Sequence, residues 1–127
     1  MNVVDSCGWL EYFAAGANAD FFAGPIEQTE ELVVPTMSVY EVFKRILQQR
    51  SEGDALLAVA LMQQGAVSDL TAAIALDAAR TSVALSLPMA DSVMLASARA
   101  FGATLWTQDA HFADIEDVKY VPYPPSS

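Results

Sequence analysis

The sequence predicts an α/β fold, an α/β/α sandwich with a central, mostly parallel sheet of about five short strands. Two observations predict it. Short apolar runs alternate with longer segments of helical periodicity, as expected when helices cover both faces of a parallel sheet. The 127 residues, with 54% hydrophobic and 17% charged content, exclude intrinsic disorder. That length fits one domain over residues 1–127.

The first half of the chain predicts two strands and four helices. Residues 1–5 form an apolar run that ends in an acid, and residues 32–35 form a β-branched run closed by proline. Both are expected to be buried strands. Helices are expected near residues 8–13, over 17–28, from a cap at Thr36 or Ser38 to residue 49, and over 53–64.

The second half predicts three more strands and two helices. The strands are expected over residues 65–67, 103–106 and 118–121, each a short apolar run. An alanine-rich helix is expected over residues 70–85. A further helix is expected over residues 90–101, between Pro88 and Gly102.

The composition limits both function and location. Six Lys and Arg residues stand against 16 Asp and Glu residues, so the formal net charge is −10. A protein that holds nucleic acid through phosphate neutralisation alone should be basic. Either nucleic acid is irrelevant, or bound metal supplies positive charge; an acidic surface also favours a basic protein partner.

The chain is expected to be cytoplasmic. A lone cysteine, Cys7, excludes an internal disulfide and a cysteine-based metal site. No signal peptide is expected, because the first basic residue is Lys44. The longest uncharged stretch, residues 55–68, is shorter than the ~18 residues of a membrane span, so no membrane is expected among the partners.

Four acids lie where an α/β sheet presents groups to a ligand: Asp5, Glu41, Asp91 and Asp109. Singly, each has a structural explanation, as a cap, a first-turn acid or, for Glu41, an ion pair with Arg45. Together, carboxylates ~4–6 Å apart repel by roughly 3–4 kcal/mol per pair unless a cation lies between them. Oxygen ligands select Mg²⁺ or Mn²⁺, which suits phosphodiester hydrolysis by a metal-activated water.

The segments that carry these acids resemble the four acidic motifs of PIN-domain ribonucleases, and more narrowly those of VapC-type toxins. They read VVDS (3–6), SVYEV (38–42), MADSVMLA (89–96) and LWTQDAHF (105–112). The resemblance implies that the four acids are catalytic. Asp5, Asp91 and Asp109 would bind the metal, and Glu41 would bind through water or orient the nucleophile.

The same resemblance implies an activity and partners. It implies Mg²⁺- or Mn²⁺-dependent cleavage of RNA to 5′-phosphate and 3′-hydroxyl ends, inhibition of translation, and a cognate antitoxin protein. Ser6 and Thr107 would be supporting hydroxyls that orient carboxylates or water. A homodimer is also expected, and the alanine-rich helix could serve it or could pack internally.

Other polar residues near these motifs have weaker claims. Lys44 and Arg45 are the best candidates for RNA phosphate contact, although a solvated helix face explains them equally well. His111 could be a general base, but a turn residue with local contacts is the favoured interpretation. Cys7 is favoured as a small apolar filler. The acids after Phe112 are expected to be on the surface, in a turn: Asp114, Glu116 and Asp117.

Two alternative functions remain open. One is a phosphatase with Asp5 as covalent nucleophile, which needs a second acid two residues later, where this chain has Cys7. The other is a catalytically silent PIN-like binding module that acts through a protein partner. The presence of all four acids disfavours it.

Overall fold

The computed structural model describes residues 1–125; residues 126 and 127, which the expected domain also included, lie outside that range. Two short 3-10 turns, at Thr29–Glu31 and Ala110–Phe112, accompany the regular elements of the described range. The strands are β1 (Asn2–Val4), β2 (Leu32–Pro35), β3 (Ala66–Ser68), β4 (Thr104–Thr107) and β5 (Val118–Tyr120). The helices are α1 (Ser6–Phe13), α2 (Ala19–Glu27), α3 (Thr36–Gln49), α4 (Glu52–Met62), α5 (Ala72–Leu85) and α6 (Met89–Ala100).

The strands form one sheet in the order β3-β2-β1-β4-β5, and every pairing is parallel. The chain first builds outward from β1 to β3, then returns to place β4 on the other side of β1. The strand order therefore reverses between β1 and β4. In open α/β sheets, ligands bind at this switch point, outside the carboxyl ends of the strands.

Helices cover both faces of the sheet. Successive residues of a strand point to opposite sides, and here the side chains on both sides are apolar. Val4 and Val34 pack in a cluster with buried residues of α1 to α4, such as Trp9 and Met62. The neighbouring residues Val3 and Val33 pack on the other face with Met94, Leu95 and Leu105. The α5 helix lies against α6 through Ile74, Ala78, Val93 and Ala96. This arrangement confirms the predicted α/β/α sandwich; the sheet is entirely rather than mostly parallel.

Two predicted helix starts near the site were wrong. The α1 helix begins at Ser6 instead of residue 8, because Asp5 caps it and accepts a hydrogen bond from the Ser6 amide. The α3 helix follows β2 without a loop, so Pro35 is at the cap position and Thr36 is already helical. The Ser38 hydroxyl donates to the Pro35 carbonyl at 2.7 Å instead of capping the helix.

Further boundaries differ by a few residues. The β4 strand includes Thr107, so Asp109 follows the strand by two residues rather than three. The third strand is shifted one residue towards the carboxyl end, to Ala66–Ser68. Among residues 1–125, no single helix is long and apolar enough to cross a membrane; α5 and α6 pass that test only as a pair, bent by 119° at the break between them.

Candidate active site

Asp5 lies directly after β1 and is almost fully buried, with 6% of its surface exposed. Its Oδ1 accepts a hydrogen bond from the Ser6 amide at 2.8 Å, and its Oδ2 accepts one from the Thr107 hydroxyl at 2.8 Å. Desolvation nevertheless raises the pKa of the Asp5 carboxyl to about 6, and the negative charge of Asp91 adds to the rise. The groups around Asp5 thus compensate its charge only in part, and a bound cation would stabilise the ionised form.

Thr107 joins the ends of the two strands that meet at the switch point. It is the last residue of β4 and is fully buried. Its hydroxyl donates to Asp5 at the end of β1 and accepts the backbone amide of Asp109 at 3.0 Å. A single hydroxyl therefore fixes the position of Asp5 relative to the turn that carries Asp109.

Asp109 begins the 3-10 turn after β4, where its Oδ1 accepts the backbone amide of His111 at 2.9 Å. The turn brings the imidazole of His111 back to the acids. Its Nδ1 lies 3.3 Å from Asp109 Oδ1 and 2.8 Å from Oδ2 of Asp91, in the first turn of α6. Hydrogen bonding to Asp91 and the charge of Asp109 raise the pKa of the His111 imidazole.

Asp91 is half-buried beside these groups. Burial raises the pKa of its carboxyl above the ordinary value, and the charge of Asp109 contributes to the rise. The hydrogen bond from His111 acts in the opposite direction. Asp91 and Asp109 therefore repel each other across a short distance, with the imidazole between them.

Glu41 approaches the same edge of the sheet from α3. The Ser6 hydroxyl donates to Glu41 Oε1 at 2.6 Å, which joins α3 to the start of α1. Because α3 begins at Thr36, Glu41 lies in the second turn of the helix. Glu41 therefore contacts Ser6 and does not form the ion pair with Arg45 that would have explained it structurally.

The structure thus brings the four predicted acids and the two predicted hydroxyls to one edge of the sheet, in two parts. Among the described residues, the ligand atoms that lie within 4.8 Å of one another belong to Asp91, Asp109 and His111. Asp5 is linked to this group through Thr107, and Glu41 is linked to Asp5 through Ser6.

His111 is the residue whose position sequence reasoning missed. It is a turn residue with a local contact to Asp109, as favoured, but its ring also contacts an acid 20 positions earlier, Asp91. Its place two residues after Asp109, at the start of a turn, was the available signal. The three acids that follow Phe112 are exposed, as expected for a surface turn: Asp114, Glu116 and Asp117.

The donor atoms fit a divalent cation. Two carboxylates and an imidazole nitrogen converge within 4.8 Å. A third carboxylate, that of Asp5, lies close enough to Asp91 for the charge of Asp91 to raise its pKa. Carboxylate oxygens are the ligands that Mg²⁺ and Mn²⁺ prefer, and imidazole is compatible with transition metals. Repulsion between Asp91 and Asp109 would fall when a cation binds between them.

A groove of about 860 Å³ adjoins the site at Cys7, whose thiol contacts Asp5. Arg45 also lines this groove, whereas none of the four acids does. Lys44 is placed differently, with its ammonium group 5.6 Å from the centre of the Tyr40 ring.

The sequence model of the PIN domain matches residues 3–118. The chain belongs to the PIN-domain family. This match confirms the resemblance carried by the four acidic motifs. A comparison with curated proteins finds no match.

Solved structures share this fold over most or nearly all of the chain. A toxin–antitoxin complex from Klebsiella pneumoniae superposes with a TM-score of 0.80 at 18% identity, covering 97% of this chain and 98% of the matched chain. The DNA-bound VapBC from Salmonella typhimurium gives 0.74 at 12% identity, with 96% and 98% covered. VapC20 from Mycobacterium tuberculosis, a Sarcin-Ricin loop cleaving toxin, gives 0.68 at 15% identity, with 82% and 85% covered. At these identities, the likeness concerns the fold.

Proposed function

We propose that this PIN-domain protein is the toxin of a toxin–antitoxin pair, a VapC-type endoribonuclease that depends on Mg²⁺ or Mn²⁺. The observation that carries the proposal is the convergence of Asp91 and Asp109 at the switch point of a PIN fold, with Asp5 tied to them through Thr107. The folds of VapC20 and of the VapBC complexes support the narrower assignment to toxins.

In this proposal, Asp91 and Asp109 hold the cation, and Asp5 completes the set of carboxylates. When bound, a divalent cation polarises a phosphoryl oxygen and lowers the pKa of a coordinated water. Thr107 keeps Asp5 and Asp109 in register, because its hydroxyl contacts both. Ser6 holds Glu41 by Oε1, so we assign the other oxygen of Glu41, Oε2, to orienting the attacking water.

RNA would reach these acids along the groove that Arg45 lines. A net charge of −10 repels a polyanion, so the few basic residues near the site gain importance. Arg45 is the stronger candidate for phosphate contact, and Lys44 would contribute from the same helix with its ammonium beside Tyr40.

The proposal includes protein partners. The acidic surface would attract a basic antitoxin that blocks the site, and release of the toxin would stop translation in the cytoplasm. A homodimer would cover the apolar side chains that α5 exposes, such as Leu76 and Val83, whose exposed fractions are 59% and 86%.

Cleavage of a labelled single-stranded RNA tests the activity. We expect cleavage with Mg²⁺ or Mn²⁺, none with EDTA, and a loss on the order of 100-fold or more in Asp91→Asn. Asp114→Asn is the matched control, because it removes the same charge from an exposed acid outside the site. Products should carry 5′-phosphate and 3′-hydroxyl ends.

Four outcomes would contradict the proposal. Cleavage that survives EDTA, or Asp91→Asn as active as Asp114→Asn, would reject the metal mechanism. Products with 2′,3′-cyclic phosphate ends would indicate attack by the RNA's own 2′-hydroxyl instead of water. Metal binding without cleavage of any RNA would favour the silent binding module.

The antitoxin can be tested separately through the gene beside this one. A short neighbouring reading frame should encode a protein that forms a complex with this chain when the two are co-expressed. The purified complex should cleave RNA at least tenfold more slowly than the free chain. A neighbour that binds without slowing cleavage would contradict inhibition at the site.

A further inference from the structure

The imidazole of His111 occupies a fixed position between two carboxylates. Asp109 accepts the His111 backbone amide, which closes the turn, and the next residue, Phe112, is fully buried in the core. The turn is thus anchored on both sides of His111. From this position Nδ1 lies 2.8 Å from Asp91 Oδ2 and 3.3 Å from Asp109 Oδ1.

These spacings match those between neighbouring ligands of a six-coordinate cation. With ligands about 2.1 Å from the ion in an octahedron, adjacent ligand atoms are about 3.0 Å apart. The distances from Nδ1 to the two carboxylate oxygens lie on either side of that value. The three ligand atoms all lie within 4.8 Å of one another, so one ion could bind them together once Nδ1 gives up its proton.

We propose that His111 is a nitrogen ligand of the cation held by Asp91 and Asp109, and that it makes the site select Mn²⁺ over Mg²⁺. The inference rests on the proposed function only in requiring a divalent cation at these acids. Mg²⁺ strongly prefers oxygen donors, whereas transition-metal ions accept imidazole readily. A site with one nitrogen ligand should therefore favour Mn²⁺ more than a site built of carboxylates alone.

The competing arrangement is one in which His111 only hydrogen-bonds to Asp91 and orients it. Such outer contacts also affect metal affinity, by roughly 10–100-fold. They place no nitrogen on the metal, however, and they do not distinguish Mn²⁺ from Mg²⁺. Selectivity and direct spectroscopic detection of nitrogen therefore separate the two arrangements.

The chain offers a clean experiment, because His111 is its only histidine. Tag-free protein would be titrated with MnCl₂ and with MgCl₂ by calorimetry, as wild type, His111→Ala, His111→Asp and the control Asp114→Asn. Pulsed electron paramagnetic resonance of the Mn²⁺-loaded proteins would then report imidazole nitrogen bound to the metal. Circular dichroism would verify folding, which we expect to be kept because the His111 side chain is 58% exposed.

We expect His111→Ala to weaken Mn²⁺ binding at least tenfold and Mg²⁺ binding by less than about threefold. His111→Asp should retain metal binding with its preference moved towards Mg²⁺. Wild type and Asp114→Asn should show imidazole nitrogen coupling, and both His111 variants should lack it.

Different results overturn different claims. Mn²⁺ bound without nitrogen coupling, or an unchanged ratio of Mn²⁺ to Mg²⁺ affinity in His111→Ala, would overturn the role of His111 and leave the cation site intact. Wild-type protein that binds neither ion would overturn both the ligand assignment and the metal dependence proposed for the nuclease.

Discussion

Replacing Asp5 with asparagine should stabilise the metal-free protein above pH 6, although the same change should abolish its activity. The Asp5 carboxyl is nearly fully buried, and desolvation raises its pKa to about 6, from 3.8 for an ordinary aspartate. A rise of roughly two in the pKa corresponds to about 3 kcal/mol. The free energy of unfolding is lower by this amount when Asp5 is ionised in both the folded and the unfolded state. A neutral side chain of the same size removes that cost.

The dependence on pH follows from the direction of the shift. Below pH 3.8, Asp5 is protonated in both the folded and the unfolded state, so it has no effect. Between pH 3.8 and 6, the folded state keeps a proton that the unfolded state releases, so the free energy of unfolding falls as pH rises. Above pH 6 the full cost is present. We therefore expect Asp5→Asn to gain about 1–3 kcal/mol at pH 8, after about 1 kcal/mol for weaker hydrogen bonds.

Urea denaturation in EDTA measures this gain at pH 8 and pH 3.5, with Asp114→Asn as control for the change in net charge. The gain should be present at pH 8, absent at pH 3.5, and larger than that of the control at pH 8. Mn²⁺ should stabilise both proteins, because the ion binds only the folded state. The wild type should gain more than Asp5→Asn, because the variant lacks the Asp5 carboxylate at the cation site. Destabilisation of the metal-free variant at pH 8, or an equal gain at both pH values, would refute the reasoning.

Three further predictions concern the surroundings of the site. A Cβ added at Gly8 would lie 2.5 Å from Cε1 of the buried Phe22, so Gly8→Ala should lower the free energy of unfolding by roughly 1–3 kcal/mol; a neutral change in urea denaturation would contradict this contact. Desolvation raises the pKa of the Cys7 thiol to about 12, so at pH 8 folded protein should resist iodoacetamide and urea-unfolded protein should react. Mass spectrometry measures both rates of alkylation, and equal rates would contradict the raised pKa. Ser6→Ala removes the hydrogen bond to Glu41 and should slow RNA cleavage by about 10–100-fold while the melting temperature changes little; full activity would show that Glu41 needs no such support.

The sheet could be predicted from the sequence because its strands are apolar on both faces. Val3 and Val4 are buried on opposite sides, as are Val33 and Val34, so each strand appears as a continuous apolar run. The acids that follow such runs then fall at the carboxyl edge, which is why Asp5 and Asp109 could be expected near each other. Strand order was not predictable, because it depends on which strands pair across long separations in sequence.

The details of the site required tertiary packing. The contact between His111 and Asp91 depends on how α6 lies against the turn after β4, which no local pattern encodes. The resemblance predicted that the Thr107 hydroxyl would orient a carboxylate or water, but that its partner is Asp5, about a hundred residues earlier, depends on packing. The prediction of the α3 cap was wrong for a local reason. Residue types that favour caps do not show whether a loop precedes the helix, and here β2 leads directly into α3.

A crystal of the wild-type protein soaked in Mn²⁺ tests the central claim most directly, through the anomalous signal of the metal. We predict a peak within about 2.5 Å of carboxylate oxygens from both Asp91 and Asp109, on the side of the site that faces Asp5. At a Mn²⁺ concentration that saturates the protein in solution, a map without a peak between these two acids would contradict the claim.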